Sequence, residues 1–165
     1  MQNLRVIFCL IALEVSMTKK LDDTDMDIIR RLWDGRTPYS DIAEQVGLTT
    51  NTVRNRVNRM LESGVLQIIG LVDPGAIEEH HSAFIGFKVL PQEVSGALEH
   101  ISALKGVVGA ATVSGRFDIM AVVMFNETFS YKRFLEEELQ NIPGLLSSET
   151  FFVVGGKDFH LRYVL

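Results

Sequence analysis

The stretch DIAEQVGLTTNTVRNRVNRMLESG, residues 41–64, decides how the first part of this chain folds. Ile42, Ala43 and Val46 share one helix face, Gly47 ends that helix, and Leu48 plugs the turn that follows. Thr49 or Thr50 then caps a longer helix that runs to about Ser63, with Gly64 just beyond its end. Ala43, Gly47 and Val53 fall where a helix-turn-helix needs a small residue, a positive-φ turn and an apolar anchor. Val53, Val57, Met60 and Leu61 recur at i, i+4, i+7 and i+8, which makes one buried stripe. The opposite side presents Thr50, Asn51, Arg54, Asn55 and Asn58, with Thr52, Arg56 and Arg59 on its flanks.

That polar side is the candidate recognition surface. Between residues 49 and 61 there are three arginines and no acid. Arginine can pair with the O6/N7 edge of guanine and asparagine with the N6/N7 edge of adenine. Threonine and arginine near a helix N-terminus suit phosphates. The expectation is therefore contact with double-stranded DNA through Thr50, Asn51, Thr52, Arg54, Asn55, Arg56, Asn58 and Arg59. Asn51, Arg54 and Asn55 are assigned to bases, and Thr50, Arg56 and Arg59 to phosphates. An ordinary solvated helix face is the alternative, and the turn signature ahead of it favours DNA. The formal net charge of −5 does not oppose this, because charge is unevenly spread. Residues 18–64 hold eight basic and eight acidic side chains, and residues 65–165 hold seven basic and twelve acidic. Phosphate attraction fades over roughly 8–10 Å in physiological salt, so the local patch outweighs the total.

Upstream, Asp22, Asp23 and Asp25 crowd the front of an apolar pattern, where acids favour the positive end of a helix dipole. Met26, Ile29 and Trp33, with Ile28 and Leu32 beside them, give the helix its expected inward face, and Gly35 stops it. The helix-turn-helix domain thus spans residues 18–64. Residues 1–17 stand apart: one arginine is followed by an eight-residue apolar run, Val6 to Leu13. A spanning helix needs about 20 such residues. The segment is read as an upstream extension or a mis-assigned start, with Met17 as the true one; a short added element and an export signal are the alternatives.

Downstream, Val65 to Val72 reads as a strand or extended arm, and Pro74-Gly75 marks a boundary, so residues 65–81 form a linker strand and hinge. Residues 82–165 then alternate. The spacing predicts strands at Ala83–Leu90, Val107–Ser114, Phe117–Phe125 and Glu149–Val154, and helices at Pro91–Leu104 and Glu127–Ile142. The second helix would carry Tyr131, Phe134, Leu135, Leu139 and Ile142 on one stripe. The order β-α-β-β-α-β is that of a ferredoxin-like split βαβ, with the first and third strands central. The fold class is α+β: an N-terminal, winged-helix-like helix-turn-helix domain and a C-terminal βαββαβ domain. The two central strands are the most continuously apolar ones, at Phe84–Phe87 and Ile119–Phe125, so the sheet face away from the helices needs a cover, and a second copy is the simplest.

The chain resembles the Lrp/AsnC, or feast/famine, regulators over about Leu21 to Val154. The resemblance rests on Leu21-Asp22-x-x-Asp25, Ala43-x-x-x-Gly47-Leu48, Arg56-x-x-Arg59-Met60-x-x-x-Gly64-Val65, Gly70-x-x-Asp73 and Gly115-Arg116-Phe117-Asp118. It implies a cytoplasmic transcription regulator that forms a homodimer, then a tetramer or octamer, and responds to an amino acid or related metabolite. It also implies an effector site at Gly115, Arg116, Phe117 and Asp118, completed by Ser148 and Thr150. A turn glycine leaves backbone N–H groups for a carboxylate, and an aspartate accepts from an ammonium; alternatively, Gly115 makes the turn and Asp118 stabilises it. An enzymatic alternative is a sirohaem decarboxylase-like protein of the same two-domain plan. Its chemistry would fall to His80, His81, His100 or His160, yet no third ligand stands at helical or hairpin spacing from the His80-His81 pair. The single cysteine, Cys9, excludes an intrachain disulfide, and no phosphate loop or nucleophile–base set is present. No catalytic residue, metal or cofactor is therefore expected.

Overall fold

The computed structural model describes residues 21–33 and 35–165. The reading of residues 1–17 lies outside the described residues. The chain divides into two compact units between Ile69 and Gly70, ahead of the Pro74-Gly75 boundary that composition suggests.

The first unit has three helices: α1 (Asp23–Arg31), α2 (Tyr39–Val46) and α3 (Thr50–Glu62). Two aspartates cap α1 reciprocally. The Asp22 carboxylate accepts from Asp25 N at 2.7 Å, and the Asp25 carboxylate accepts from Asp22 N at 3.2 Å. The inward face of α1 is Ile28 and Leu32 together with Asp25, with Ile29 packed beside them as expected, whereas Met26 and Trp33 depart from the expected stripe. Met26 is 37% exposed and Trp33 87%. Leu32 is already the C-cap of α1, so Trp33 no longer follows the helical period. After α2, Gly47 takes φ 69°, a left-handed turn that a Cβ would resist, and Leu48 N donates to Ala43 O at 2.9 Å. Thr49 then caps α3, its hydroxyl accepting from Thr52 N. Val53, Val57 and Met60 are buried against Ile28, Ile42 and Ala43. Burial of each such side chain stabilises the unit by about 1.5–3 kcal/mol. Leu61 stands at the edge of the stripe, 36% exposed.

The second unit contains β1 (Leu71–Val72), β2 (His81–Val89), α4 (Val94–Ala103), β3 (Val107–Thr112), β4 (Ile119–Phe125), β5 (Leu145–Phe152) and β6 (Leu161–Arg162). The main sheet is antiparallel in the order β3-β4-β2-β5, so the first and third strands of the βαββαβ pattern are central as expected. Only Leu71–Val72 of the expected Val65–Val72 arm is a strand, and it pairs with β6, part of a tail for which the sequence alone gave no element. β5 starts four residues earlier than its composition suggests, because its register with β2 runs to Val89 opposite Leu145. Ala83, Ile85, Phe87 and Val89 from β2 join Ile119, Ala121, Val123 and Phe125 from β4 in one core with Ala97, Ile101, Phe129 and Phe134.

The second helix also departs from the expectation. The Asn126 side chain accepts from Phe129 N at 2.8 Å and ties residues 126–129 into a turn that buries Phe129. Ser130 then caps a short α-turn, Tyr131–Arg133, which continues as a π-turn, Phe134–Glu138, and a 3-10 turn, Leu139–Asn141. The wider π-turn shifts the phase of the stripe: Phe134 is fully buried while Leu135 is 37% exposed.

Candidate nucleic-acid interface and effector turn

Helix α3 carries all eight candidate DNA contacts, and the structure separates them into two groups. Asn51, Arg54, Asn55 and Asn58 are exposed on the side opposite Val53 and Val57, and Thr50, half-buried at the first position of the helix, stands at the end of that side. The flanking residues are engaged within their own unit. Thr52 shares a hydroxyl–hydroxyl bond of 2.9 Å with Thr49. Arg56 Nη1 donates to Asp22 Oδ2 at 2.6 Å and to Asp25 Oδ1 at 2.8 Å. Arg59 Nη2 donates to Asp25 Oδ2 at 2.6 Å. The Asp25 side chain is 1% exposed. The hydrogen bond from Arg56, aided by Asp25 N–H, holds the Asp22 carboxyl below its ordinary value; Asp22 and then Asp25 in turn raise the Arg56 guanidinium above its own. Arg56 and Arg59, assigned above to phosphates, are thus paired with carboxylates. Arg54 is the one guanidinium of α3 that makes no ion pair among the described residues.

The second cluster is the turn between β3 and β4. Asp118 stands where β2 leaves regular pairing: Asp118 N donates to Phe87 O at 2.9 Å, and the register of β2 with β5 shifts between Lys88 and Val89. The Asp118 carboxylate takes up the next donor, Val89 N, at 3.0 Å, and also accepts from Lys88 Nζ at 2.9 Å. Burial pushes its carboxyl up, but the Lys88 ammonium and the Val89 N–H outweigh that and hold it below the ordinary aspartate value. Arg116 is ion-paired with Glu149. The Phe117 ring lies over Gly86, where a Cβ would come within 2.4 Å of it, and meets Phe151 edge-on at 6.1 Å. Gly115 has open space where a Cβ would stand. The main-chain N–H groups of Gly115, Arg116 and Phe117 donate no backbone hydrogen bond among the described residues.

Ser148 and Thr150 do not join that turn within one chain. They stand opposite Phe87 and Ile85, in register with the core-facing residues of β2, and Thr150 accepts from the Tyr131 hydroxyl at 3.1 Å. Phe117 and Arg116 contact Phe151, Gly86 and Glu149, which alternate with them on the other face. The grouping of all six residues into one pocket is therefore not met by a single copy. Among the described residues no cluster of three metal-ligating side chains occurs.

Residues 21–61 match the AsnC-type helix-turn-helix domain, and residues 82–159 match the Lrp/AsnC ligand binding domain. An HTH-type transcriptional regulator of Pyrococcus abyssi is 32% identical over 140 residues, covering 84% of this chain and 89% of its own. The chain belongs to the Lrp/AsnC family. The structure of E. coli AsnC superposes on this Lrp/AsnC chain with a TM-score of 0.63 at 25% identity, over 85% of this chain and 96% of that one. A regulator of Neisseria meningitidis, solved as its L-Met complex, shares the fold with a TM-score of 0.61 at 20% identity, over 88% and 96% of the two chains. The protein is a DNA-binding transcription regulator, and the decarboxylase reading is set aside because its relatives are regulators. No helix among the described residues is long and apolar enough to cross a membrane.

Reading the sequence missed Asp22, Asp25, Lys88 and Glu149 as partners of site residues. One signal for Asp25 was present: it precedes Ile28 by three and Leu32 by seven, which puts an acid on the buried stripe.

Proposed function

We propose that α3 lies in the major groove and reads bases through Asn51, Arg54, Asn55 and Asn58, with Thr50 toward a phosphate at the helix N-terminus. One observation carries this reading: the exposed side of α3 holds three asparagines and an unpaired arginine, while its valines are buried. Paired half-sites require a homodimer, and the sheet face opposite the helices supports one, since Phe84 and Phe151 remain exposed there at 38% and 46%. Higher assembly to a tetramer or octamer is part of the same proposal, as is action in the cytoplasm. The effector is an amino acid or related metabolite whose carboxylate meets the N–H groups of Gly115–Phe117. The match to a ligand binding domain supports this, and Ser148 and Thr150 would belong to a site completed by another copy.

Selection of bound duplexes from a random-sequence library tests the core of the proposal. The wild-type chain is expected to enrich a two-fold-related sequence. The double variant Arg54→Ala, Asn55→Ala should lose that enrichment while its helical circular dichroism is unchanged. Retention of the same enriched site by the double variant would place the reading surface elsewhere.

A further inference from the structure

Two of the three arginines of α3 are balanced by carboxylates before any DNA arrives. Arg56 and Arg59 stand one turn apart, on the flank between the buried stripe and the exposed face. Both reach the same carboxylate, Asp25, which is 1% exposed, and Arg56 also reaches Asp22. Two guanidiniums and two carboxylates leave this group with no net charge. Apolar packing through Val53, Val57 and Met60 alone resists rotation of a helix about its axis weakly, because it is not directional. Two hydrogen-bonded attachments from α3 to one buried group on α1 are directional, and they set which residues face outward. The same pairing removes two cations from the flank that would face the DNA backbone, where attraction is strong and independent of sequence.

From this geometry we infer that Asp25, assisted by Asp22, is a specificity-determining positioning residue: it fixes the rotation of α3 and withholds Arg56 and Arg59 from the phosphates, so that binding depends on Arg54 and the neutral readers. This rests on α3 being the recognition helix. The two ideas fail separately, since loss of the reading helix is judged by the Arg54, Asn55 double variant and the clamp by variants of α1.

The test compares the full-length wild type with Asp25→Asn on two duplexes, the site enriched from the library and a scrambled one, across a salt series. Asp25→Asn should bind the enriched site at least ten-fold less selectively relative to the scrambled duplex. Affinity for the scrambled duplex should hold or rise, and its log–log salt slope should steepen by about one to two, as expected for one or two added phosphate contacts. A merely unfolded unit loses both duplexes together and gains no slope. Unchanged selectivity and slope in folded Asp25→Asn would overturn the inference. If Asp25→Asn does not fold, Asp22→Asn decides, because it frees Arg56 from one partner and leaves the buried pairs in place. A smaller change in the same direction supports the clamp, and no change rejects it.

Discussion

Helix α3 and the β3–β4 turn each carry charged side chains where an outside partner is expected, and apart from Arg54 those charges are taken up within their own unit. The means differ. On α3 the acceptor is Asp25, almost wholly buried and 31 and 34 residues away along the chain from its two arginines. On the turn, the Asp118 side chain is 28% exposed and answers to a main-chain N–H and a lysine that is itself 44% exposed. The first arrangement leaves Asn51, Arg54, Asn55 and Asn58 exposed, and the second leaves the N–H groups of Gly115, Arg116 and Phe117 without a backbone acceptor among the described residues. A groove edge is read by side chains that can reach it, whereas a small carboxylate is held by closely spaced N–H groups.

Removing the two carboxylates should separate these arrangements by size. Asp25→Ala deletes the shared partner of Arg56 and Arg59 and half of the α1 capping box, and should destabilise the first unit by about 3 kcal/mol. The two arginines are partly exposed and can recover water, which keeps the loss from being larger. Asp118→Ala leaves the N–H of Val89, a 2%-exposed residue, without an acceptor, and should cost the second unit about 2 kcal/mol. Asp118→Asn keeps an acceptor and should lose less. Hydrogen exchange resolved by residue reads each unit separately; equal losses at the two sites would contradict the contrast. Gly86→Ala comes next. Its Cβ would meet the Phe117 ring at 2.4 Å, so the ring must shift, at about 1 kcal/mol. Phe117 amide and ring resonances should move while α3 resonances stay. If the Phe117 signals do not move, its ring is not packed on Gly86.

Much of α3 was legible because a helix repeats. Val53, Val57 and Met60 follow the period and are buried, so Asn51, Arg54, Asn55 and Asn58 had to face outward. Thr49 and Gly64 marked its ends for the same local reasons. What periodicity does not carry is pairing between elements. Asp22-x-x-Asp25 and Arg56-x-x-Arg59 were both visible, but nothing local says that each acid is opposite an arginine. The turn was less legible for a related reason. Its sequence marks a bend, yet the role of Asp118 depends on where the pairing of β2 with β4 ends, at Phe87 opposite Ile119, and the separation of Ser148 and Thr150 from Phe117 depends on which face each strand residue takes. The π-turn at Phe134–Glu138 shows the limit from the other side: one widened turn sent Leu135 outward although its spacing placed it in the stripe.

The smallest expected effect lies in acid, and it bears on how Asp118 is held. Its carboxyl titrates below the ordinary aspartate value when folded and near about 3.9 when unfolded, so the folded state binds fewer protons as pH falls into that range. The carboxylate's contribution is thus fully present above about pH 5, and is lost as pH drops from there through the lowered folded value. Lys88→Met removes the ammonium but keeps Val89 N–H and the burial that opposes ionisation. The Asp118 midpoint, followed by carboxyl-carbon NMR, should then rise relative to wild type, and the acid-linked loss of stability in the second unit should be smaller and be complete at a higher pH. Asp22 gives the matching test in the first unit, where Arg56 is the main cause of the lowering: Arg56→Met should raise the Asp22 midpoint and leave Asp118 untouched. An Asp118 midpoint that ignores Lys88→Met would mean that Val89 N–H alone sets it, and the turn would then be held by its backbone without help from any ion pair.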